Sequence, residues 1–310
     1  MKIVYMGTPD FAVAALDSIV EAGHEVMLVI SQPDKAKGRS KAPVPTPVKA
    51  AAQRHGIEVY QPEKIKASEA VERLASMKID AIVVAAYGQI LPESILNMPK
   101  YGCINIHASL LPKYRGAAPI EWSIIDGEET TGVTTMYMEK GLDTGDMIDK
   151  VELPILPEDT GVTLHDKLKE AGAKLILKTL SDLEAGTAVR QKQDDSKSCY
   201  AVMLKKEMGE MDFSKSATEL ERLIRGLNPW PCAYTVIDGK NVKLFKASVR
   251  ACDVSGFEPG EIIEVGKKSF TIACGRDALE IKNLQPEGKK PMDTVAYLNG
   301  NRITTGMKVG

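Results

Sequence analysis

The first half of the chain alternates short runs that are apolar at nearly every position with longer stretches in which apolar residues recur at helical spacing. KIVYM, FAVAALDSIVEAG, HEVMLVIS, PVKAAAQRHG, IEVYQ, SEAVERLASM and DAIVVAA follow one another in that order. A strand that is apolar on both faces must be covered on both. The pattern therefore predicts an α/β domain with a doubly wound, mostly parallel, Rossmann-like sheet. GCINIH, residues 102–107, is the next predicted strand, and TGVTTMYM a further one before the turn-rich GLDTGD. Ligands of such sheets bind beyond the carboxyl ends of the strands, where His107 and the loop Ala108 to Gly116 should lie.

A helical stretch from about Leu164 to Glu184 closes the first expected domain, 1–189. QKQDDSKS, residues 191–198, is polar with little to bury, and 190–206 is read as a linker. DFSKSATELERLIRGL then predicts a helix. YTVIDGKNVKLFKASV, GEIIEVGKKSFTIAC and DALEIKNLQPEG alternate strand with turn, and Asp238-Gly239 is a hairpin signal. The expected second domain, 207–310, is a small β-barrel or sandwich.

A length of 310 residues at 44% hydrophobic content supplies a core for each domain. The five cysteines are odd in number and form no CxxC pair, which favours a reducing cytoplasm over a disulfide framework. The N-terminal apolar run is broken by Gly7 and Pro9, so it reads as a strand and not as a signal peptide or membrane span. The net charge of -2 excludes a generally basic coat. From residue 205 onward, 17 Lys and Arg meet 14 Asp and Glu, out of 40 and 42 in the chain, which permits a nucleic-acid contact without requiring one.

The turn Gly7-Thr8-Pro9-Asp10 lacks the glycine fingerprint of a dinucleotide site, and Pro9 has no N–H to give a phosphate, so no nicotinamide is expected. His24, His55 and His165 sit where a satisfied or solvated imidazole is ordinary. His107 differs, because Asn105 lies two residues before it on the same strand face, pairing an amide donor with a proton carrier. The bland alternative is a polar strand end capping the next loop. Asp143 has an equally bland reading as a turn residue, but a histidine that handles protons is commonly held by a carboxylate. Its spacing to Asp146 and Asp149 fits no EF-hand loop and no His or Cys completes a set, so no metal is expected.

Asn105-Ile106-His107, the run from Ser109 through Leu110, Leu111, Pro112, Lys113, Tyr114 and Arg115 to Gly116, and Gly141-Leu142-Asp143-Thr144-Gly145 together resemble the folate-dependent formyltransferase superfamily. Met6-Gly7-Thr8-Pro9-Asp10-Phe11, the basic loop after Gln32-Pro33-Asp34, and Leu227-Asn228-Pro229-Trp230-Pro231 are similar to the branch that acts on initiator tRNA. Cys232 stands where that branch would have glycine. The resemblance implies an OB-like barrel for the C-terminal domain, 10-formyltetrahydrofolate as co-substrate, and methionyl initiator tRNA as acceptor. It also implies Asn105 and His107 as oxyanion donors, with Asp143 holding His107 in orientation and charge state. Ser109, Leu110, Leu111 and Pro112 match the folate segment, the apolar pair packing on the pteridine. Tyr87, Gly88, Ile90 and Leu91 are expected either as a second wall of that site or as core.

Lys35, Lys37, Arg39 and Lys41 place four cations within seven residues. Alone this is a solvated loop. The resemblance turns it into an approach to the acceptor stem, with Lys37, Arg39 and Lys41 as phosphate contacts. Aromatic content of 5% gives no broad stacking platform for RNA. A monomer is expected. Other acceptors (glycinamide ribonucleotide, an amino sugar or water), a dehydrogenase and a non-catalytic RNA-binding module are the rival readings.

Overall fold

The computed structural model describes residues 1–36 and 42–310. Backbone contacts divide the described chain into two units.

The first comprises Met1–Pro119, Thr130–Pro154 and His165–Ala201. Its main sheet contains β1 (Lys2–Gly7), β2 (Glu25–Ile30), β3 (Val59–Tyr60), β4 (Ala81–Ala85), β5 (Cys103–His107), β6 (Thr130–Tyr137) and β7 (Met147–Pro154), in spatial order β7-β6-β5-β4-β1-β2-β3. Strands β1 to β5 pair in parallel, while β6 runs antiparallel to β5 and β7 antiparallel to β6. Mixed direction is thus confined to one edge, as the mostly parallel expectation requires. At the end of β1, a Cβ on Gly7 would lie 2.7 Å from the Ala12 Cβ and 3.1 Å from the Ala85 carbonyl oxygen. Glycine is there for close packing of strand, turn and neighbour. Pro9 precedes a 3-10 turn at Asp10–Ala12 that leads into α1 (Val13–Glu21).

The other helices with residues in this unit are α2 (Pro47–Arg54), α3 (Ser68–Ala75), α4 (Glu93–Leu96), α5 (Pro119–Ile125), of which only Pro119 belongs to it, and α6 (Gly161–Ala185), which belongs to it from His165 onward. Thr46 caps α2, its Oγ1 accepting the Lys49 N–H at 3.1 Å, and Pro47 occupies the first turn, where a missing N–H costs nothing. One face of the sheet turns Val4, Met6, Leu28, Ile30, Ile82, Val84 and Cys103 into a core shared with Leu74 and Ile95. On the other face, Gly172 of α6 brings its backbone so near that a Cβ would lie 3.0 Å from Ile106 Cγ2 and 3.5 Å from Val133 Cγ1. With Ile106 against α6, the period of two sends Asn105 and His107 to the opposite face.

The second unit comprises Ile120–Glu129, Ile155–Leu164 and Val202–Gly310. Its antiparallel sheet contains β8 (Ala233–Ile237), β9 (Lys240–Arg250), β10 (Ile262–Val265), β11 (Phe270–Ala273) and β12 (Ala278–Pro286) in the order β8-β9-β12-β11-β10, with β13 (Met292–Asp293) paired to β12. Asp238 and Gly239, at φ 50° and 71°, make the hairpin turn between β8 and β9. Helices α7 (Ala217–Gly226) and α8 (Thr294–Gly300) lie wholly in this unit, which also contains most of α5 and the first turn of α6. A reciprocal Ser216–Glu219 capping box opens α7, which buries Leu220 and Ile224 among Phe270, Ile272, Leu279 and Ile281. Cys232 has φ 70°, a left-handed conformation that glycine adopts without a Cβ penalty and that suits the glycine expected at this position. No helix among the described residues is long and apolar enough to cross a membrane.

The β6–β7 pair has no room for a side chain at Gly132, where a Cβ would lie 2.0 Å from the Val151 carbonyl oxygen and 2.6 Å from Leu110 Cδ2. Gly132→Ala is expected to lower stability by about 1–3 kcal/mol, the usual range for overpacking, as read by urea unfolding. An unchanged midpoint would show that β7 can separate from β6 without loss.

Candidate active site

His107 closes β5 and is 5% exposed. Its Nε2 lies 2.9 Å from the Tyr114 carbonyl oxygen. A carbonyl only accepts, so Nε2 carries the proton and donates it. Nδ1 then faces the Asp143 carboxylate, 3.7 Å from Oδ2, within ion-pair range but longer than a hydrogen bond. The sequence suggested a His107 ring N–H as an oxyanion donor. The structure spends the Nε2 proton on the main chain and leaves Nδ1 as the nitrogen beside the carboxylate.

Asp143 is held from two directions. Its Oδ2 accepts the Gly116 N–H at 2.8 Å, and its own carbonyl accepts from Gln193 Nε2 at 2.8 Å. Both Asp143 and Tyr114 have positive φ, 54° and 60°. Such conformations cost non-glycine residues roughly 1–3 kcal/mol and persist where surrounding bonds fix them. Asn105, two residues before His107, is 9% exposed, and its amide has no hydrogen-bond partner among the described residues. The amide is not sealed from solvent and can donate to a ligand.

The loop after β5 is tied down by side chains of β6 and β7. Thr134 Oγ1 donates to the Ser109 carbonyl at 2.7 Å and accepts the Leu111 N–H at 3.2 Å. Lys150 Nζ donates to the Leu111 carbonyl at 2.7 Å, and burial lowers the Lys150 pKa from its ordinary value. Ser109 is buried and donates to the Lys113 carbonyl at 2.6 Å; Pro112 follows a cis peptide. The apolar pair is divided: Leu111 turns inward onto Met136 and Met147, while Leu110 covers Gly132 and stays partly exposed. Leu111 thus packs its side chain inward, and its N–H and carbonyl are both engaged by Thr134 and Lys150.

Tyr87 and Leu91 likewise face the core beside Ile65 and Ile95, and burial raises the Tyr87 phenol to about 12. The exposed surface near them comes from Ile90, and Gly88 takes a positive φ of 85°. The Tyr87 carbonyl accepts from Thr8 Oγ1 at 3.0 Å and Gln32 Nε2 at 3.3 Å, which joins the ends of β1, β2 and β4. Lys37, Arg39 and Lys41 lie outside the described residues. Flanking them, Lys35–Ala36 pairs antiparallel with Pro43–Val44, and Lys49 Nζ bonds Asp34 at 2.6 Å and Gln61 at 2.7 Å below that pair.

Sequence reasoning missed Tyr114, Gly116, Thr134 and Gln193. The first two lie in a quoted motif but act through backbone atoms, which residue type does not advertise. His165, set aside in the sequence as an ordinary imidazole, lies near Asp10 and Asp166, but Lys169 Nζ is 2.8 Å from Asp10 and supplies the positive charge there. A cavity of about 660 Å³ is lined by Cys103, Tyr137, Lys140 and Arg190 among others, and by none of Asn105, His107 and Asp143. That cavity lies apart from the carboxyl end of β5, where Asn105 and His107 sit.

Residues 1–180 match the Formyl transferase family model and residues 203–302 the model for the Formyl transferase C-terminal domain. The chain is 55% identical to a methionyl-tRNA formyltransferase of Lachnospira eligens, over 100% of both chains. It is 49% identical to the protein of that name from Geobacter sulfurreducens, over 100% of this chain and 97% of the other. Among solved structures, an N-formyltransferase from Helicobacter canadensis, in complex with folinic acid and dTDP-3-aminofucose, superposes with TM-score 0.68 at 21% identity, over 91% of this chain and 99% of that one. HypX from Aquifex aeolicus, in complex with tetrahydrofolic acid, superposes with TM-score 0.64 at 17% identity, over 97% of this chain and 47% of that one. At these identities the structures share the fold.

Thr134 satisfies two buried backbone groups of the loop after β5. Thr134→Val, which keeps the shape and removes the hydroxyl, is expected to cost about 1–3 kcal/mol in denaturant unfolding. A cost near zero would mean that water replaces the hydroxyl there.

Proposed function

Because this chain belongs to the formyl transferase family, and within it to the methionyl-tRNA formyltransferases, we infer that Asn105, His107 and Asp143 carry the transfer of a formyl group from 10-formyltetrahydrofolate to the α-amino group of methionyl initiator tRNA. The observation that supports this assignment is the meeting, at one strand end, of an unpartnered Asn105 amide with a His107 Nδ1 that faces the Asp143 carboxylate.

The folate supplies an activated formyl group, and the difficult part of its transfer is the negative charge that builds on the formyl oxygen. The Asn105 amide donates to that oxygen as a donor fixed in place by its strand. An α-amino group titrates near pH ~8, so a useful neutral fraction of the nucleophile exists near neutrality. A proton must reach N10 of the folate as its bond to the formyl carbon breaks, and one must leave the attacking nitrogen. With Nε2–H given to Tyr114, His107 exchanges that proton through Nδ1, and Asp143 stabilises the imidazolium this produces. Ser109 to Pro112 and the Gly88–Ile90 segment would hold the folate through main-chain groups and the exposed edges of Leu110 and Ile90.

Residues 207–310 and the cations Lys37, Arg39 and Lys41 are assigned to the tRNA. A monomer is the proposed working state, since Asn105, His107 and Asp143 lie in one unit of one chain. The five cysteines are free, in keeping with a reducing cytoplasm.

His107→Ala and Asn105→Ala are each expected to lower kcat by about 10² to 10³-fold in a formylation assay with 10-formyltetrahydrofolate and methionyl initiator tRNA. Near-normal turnover by a folded variant would remove that residue from the reaction. Replacing Arg39 and Lys41 by Gln is expected to weaken tRNA binding and to reduce the slope of log affinity against log salt by about 1 per cation. An unchanged slope would place the phosphate contacts elsewhere.

A further inference from the structure

Behind the groups that face substrate, the seat of Asp143 rests on a buried polar pair. Arg115 is 3% exposed and donates to Gln193 Oε1 from Nε at 3.0 Å and from Nη2 at 2.8 Å, and to Asp195 Oδ1 at 2.7 Å. Gln193 is 6% exposed, and its Nε2 donates to the carbonyl oxygens of Asp143 and Gly145, both at 2.8 Å. An amide flipped end for end would present N–H groups to a guanidinium and an oxygen to two carbonyls, so Arg115 fixes the orientation by charge. Both Nε2 hydrogens are thereby committed to the turn that carries Asp143.

We propose that Gln193 is a positioning residue for the formyl transfer, locked by Arg115, and that it holds Asp143 where its carboxylate can serve His107. The proposal rests on the role given to Asp143 above. The carboxylate has one anchor, the Gly116 N–H, and the main chain of the turn has the other, Gln193. One chain segment governs both. Tyr200 and Ala201 pair with Arg115 and Gly116, and the Cys199 carbonyl accepts the Arg115 N–H at 2.9 Å. Met147 and Gln191 exchange backbone hydrogen bonds at 2.9 Å just before Gln193. Asp143, at positive φ, depends on such bonds to keep its conformation. Without the Nε2 donors the turn relaxes and the carboxylate moves relative to Nδ1. A displacement of about 1 Å at a reacting group costs on the order of 10²-fold in rate.

The test compares Asp143→Asn, Gln193→Met, Gln193→Glu and the double variant Asp143→Asn with Gln193→Met, in steady-state formylation of methionyl initiator tRNA and in thermal unfolding. Gln193→Met is expected to lower kcat by about 10²-fold with KM for both substrates nearly unchanged. Gln193→Glu keeps Arg115 as its partner but turns an acceptor toward the two carbonyls, so it should show the same loss while remaining folded. If Gln193→Met does not fold, the Glu variant carries the comparison, singly and with Asp143→Asn. In the Asp143→Asn background the Gln193 substitution is expected to cost less than about threefold, because a residue acting only through Asp143 has nothing left to position. Additive losses, or wild-type kcat in Gln193→Glu, would overturn the positioning role. Full activity in Asp143→Asn would instead overturn the assignment of Asp143 and leave Gln193 without a function to support.

Discussion

A buried imidazole has two ring nitrogens to satisfy, and the site depends on how His107 does so. Giving Nε2–H to the Tyr114 carbonyl selects the tautomer and directs Nδ1 at Asp143. For that carbonyl to be in place, the chain must turn back after β5 and put Tyr114 at positive φ beside the strand it has just left. Thr134 and Lys150 hold the outward limb of this loop, and the pairing of Arg115 and Gly116 with Tyr200 and Ala201 holds the return limb. The parallel sheet beneath supplies a rigid base: β5 lies between β4 and β6, so neither end of the register can slip without carrying Asn105 and His107 to the wrong face.

Much of the sheet was legible because burial on both faces leaves little choice of residue. KIVYM and DAIVVAA became β1 and β4, and Asp238-Gly239 became the hairpin turn its composition predicts. The catalytic candidates were legible because Asn105 and His107 share a face by the period of a strand and Asp143 sits in a matched motif. What escaped was of two kinds. Backbone donors and acceptors, such as the Gly116 N–H and the Tyr114 carbonyl, are chemically the same in every residue. Gln193 escaped because QKQDDSKS is polar throughout, and burial of a polar side chain depends on the charges around it, here Arg115. The fate of Leu111 and Tyr87 was also hidden, since an apolar residue at a strand end can turn inward or toward a ligand with the same sequence around it.

The likeness to an N-formyltransferase in complex with folinic acid and dTDP-3-aminofucose, and to HypX, at 17–21% identity is a likeness of fold. On the roles proposed for Asn105, His107 and Asp143, such a strand end stabilises charge on a carbonyl oxygen whatever amine attacks it. Choice of acceptor must come from elements outside that strand end. The methionyl-tRNA formyltransferases that resemble this chain do so over its full length, basic loop and antiparallel unit included.

The pairing of Arg115–Gly116 with Tyr200–Ala201 joins residues that are synthesised far apart in time. A chain emerging from the ribosome can form β1 to β7 and α6 before residues 193–201 exist. Synthesis adds about 5–20 residues per second, so the sheet has seconds to assemble while the histidine loop and the Asp143 turn still lack their closing strand. On the roles proposed for His107 and Asp143, the nascent protein is then a folded scaffold whose site is finished only when its chain has grown past the segment that locks the loop.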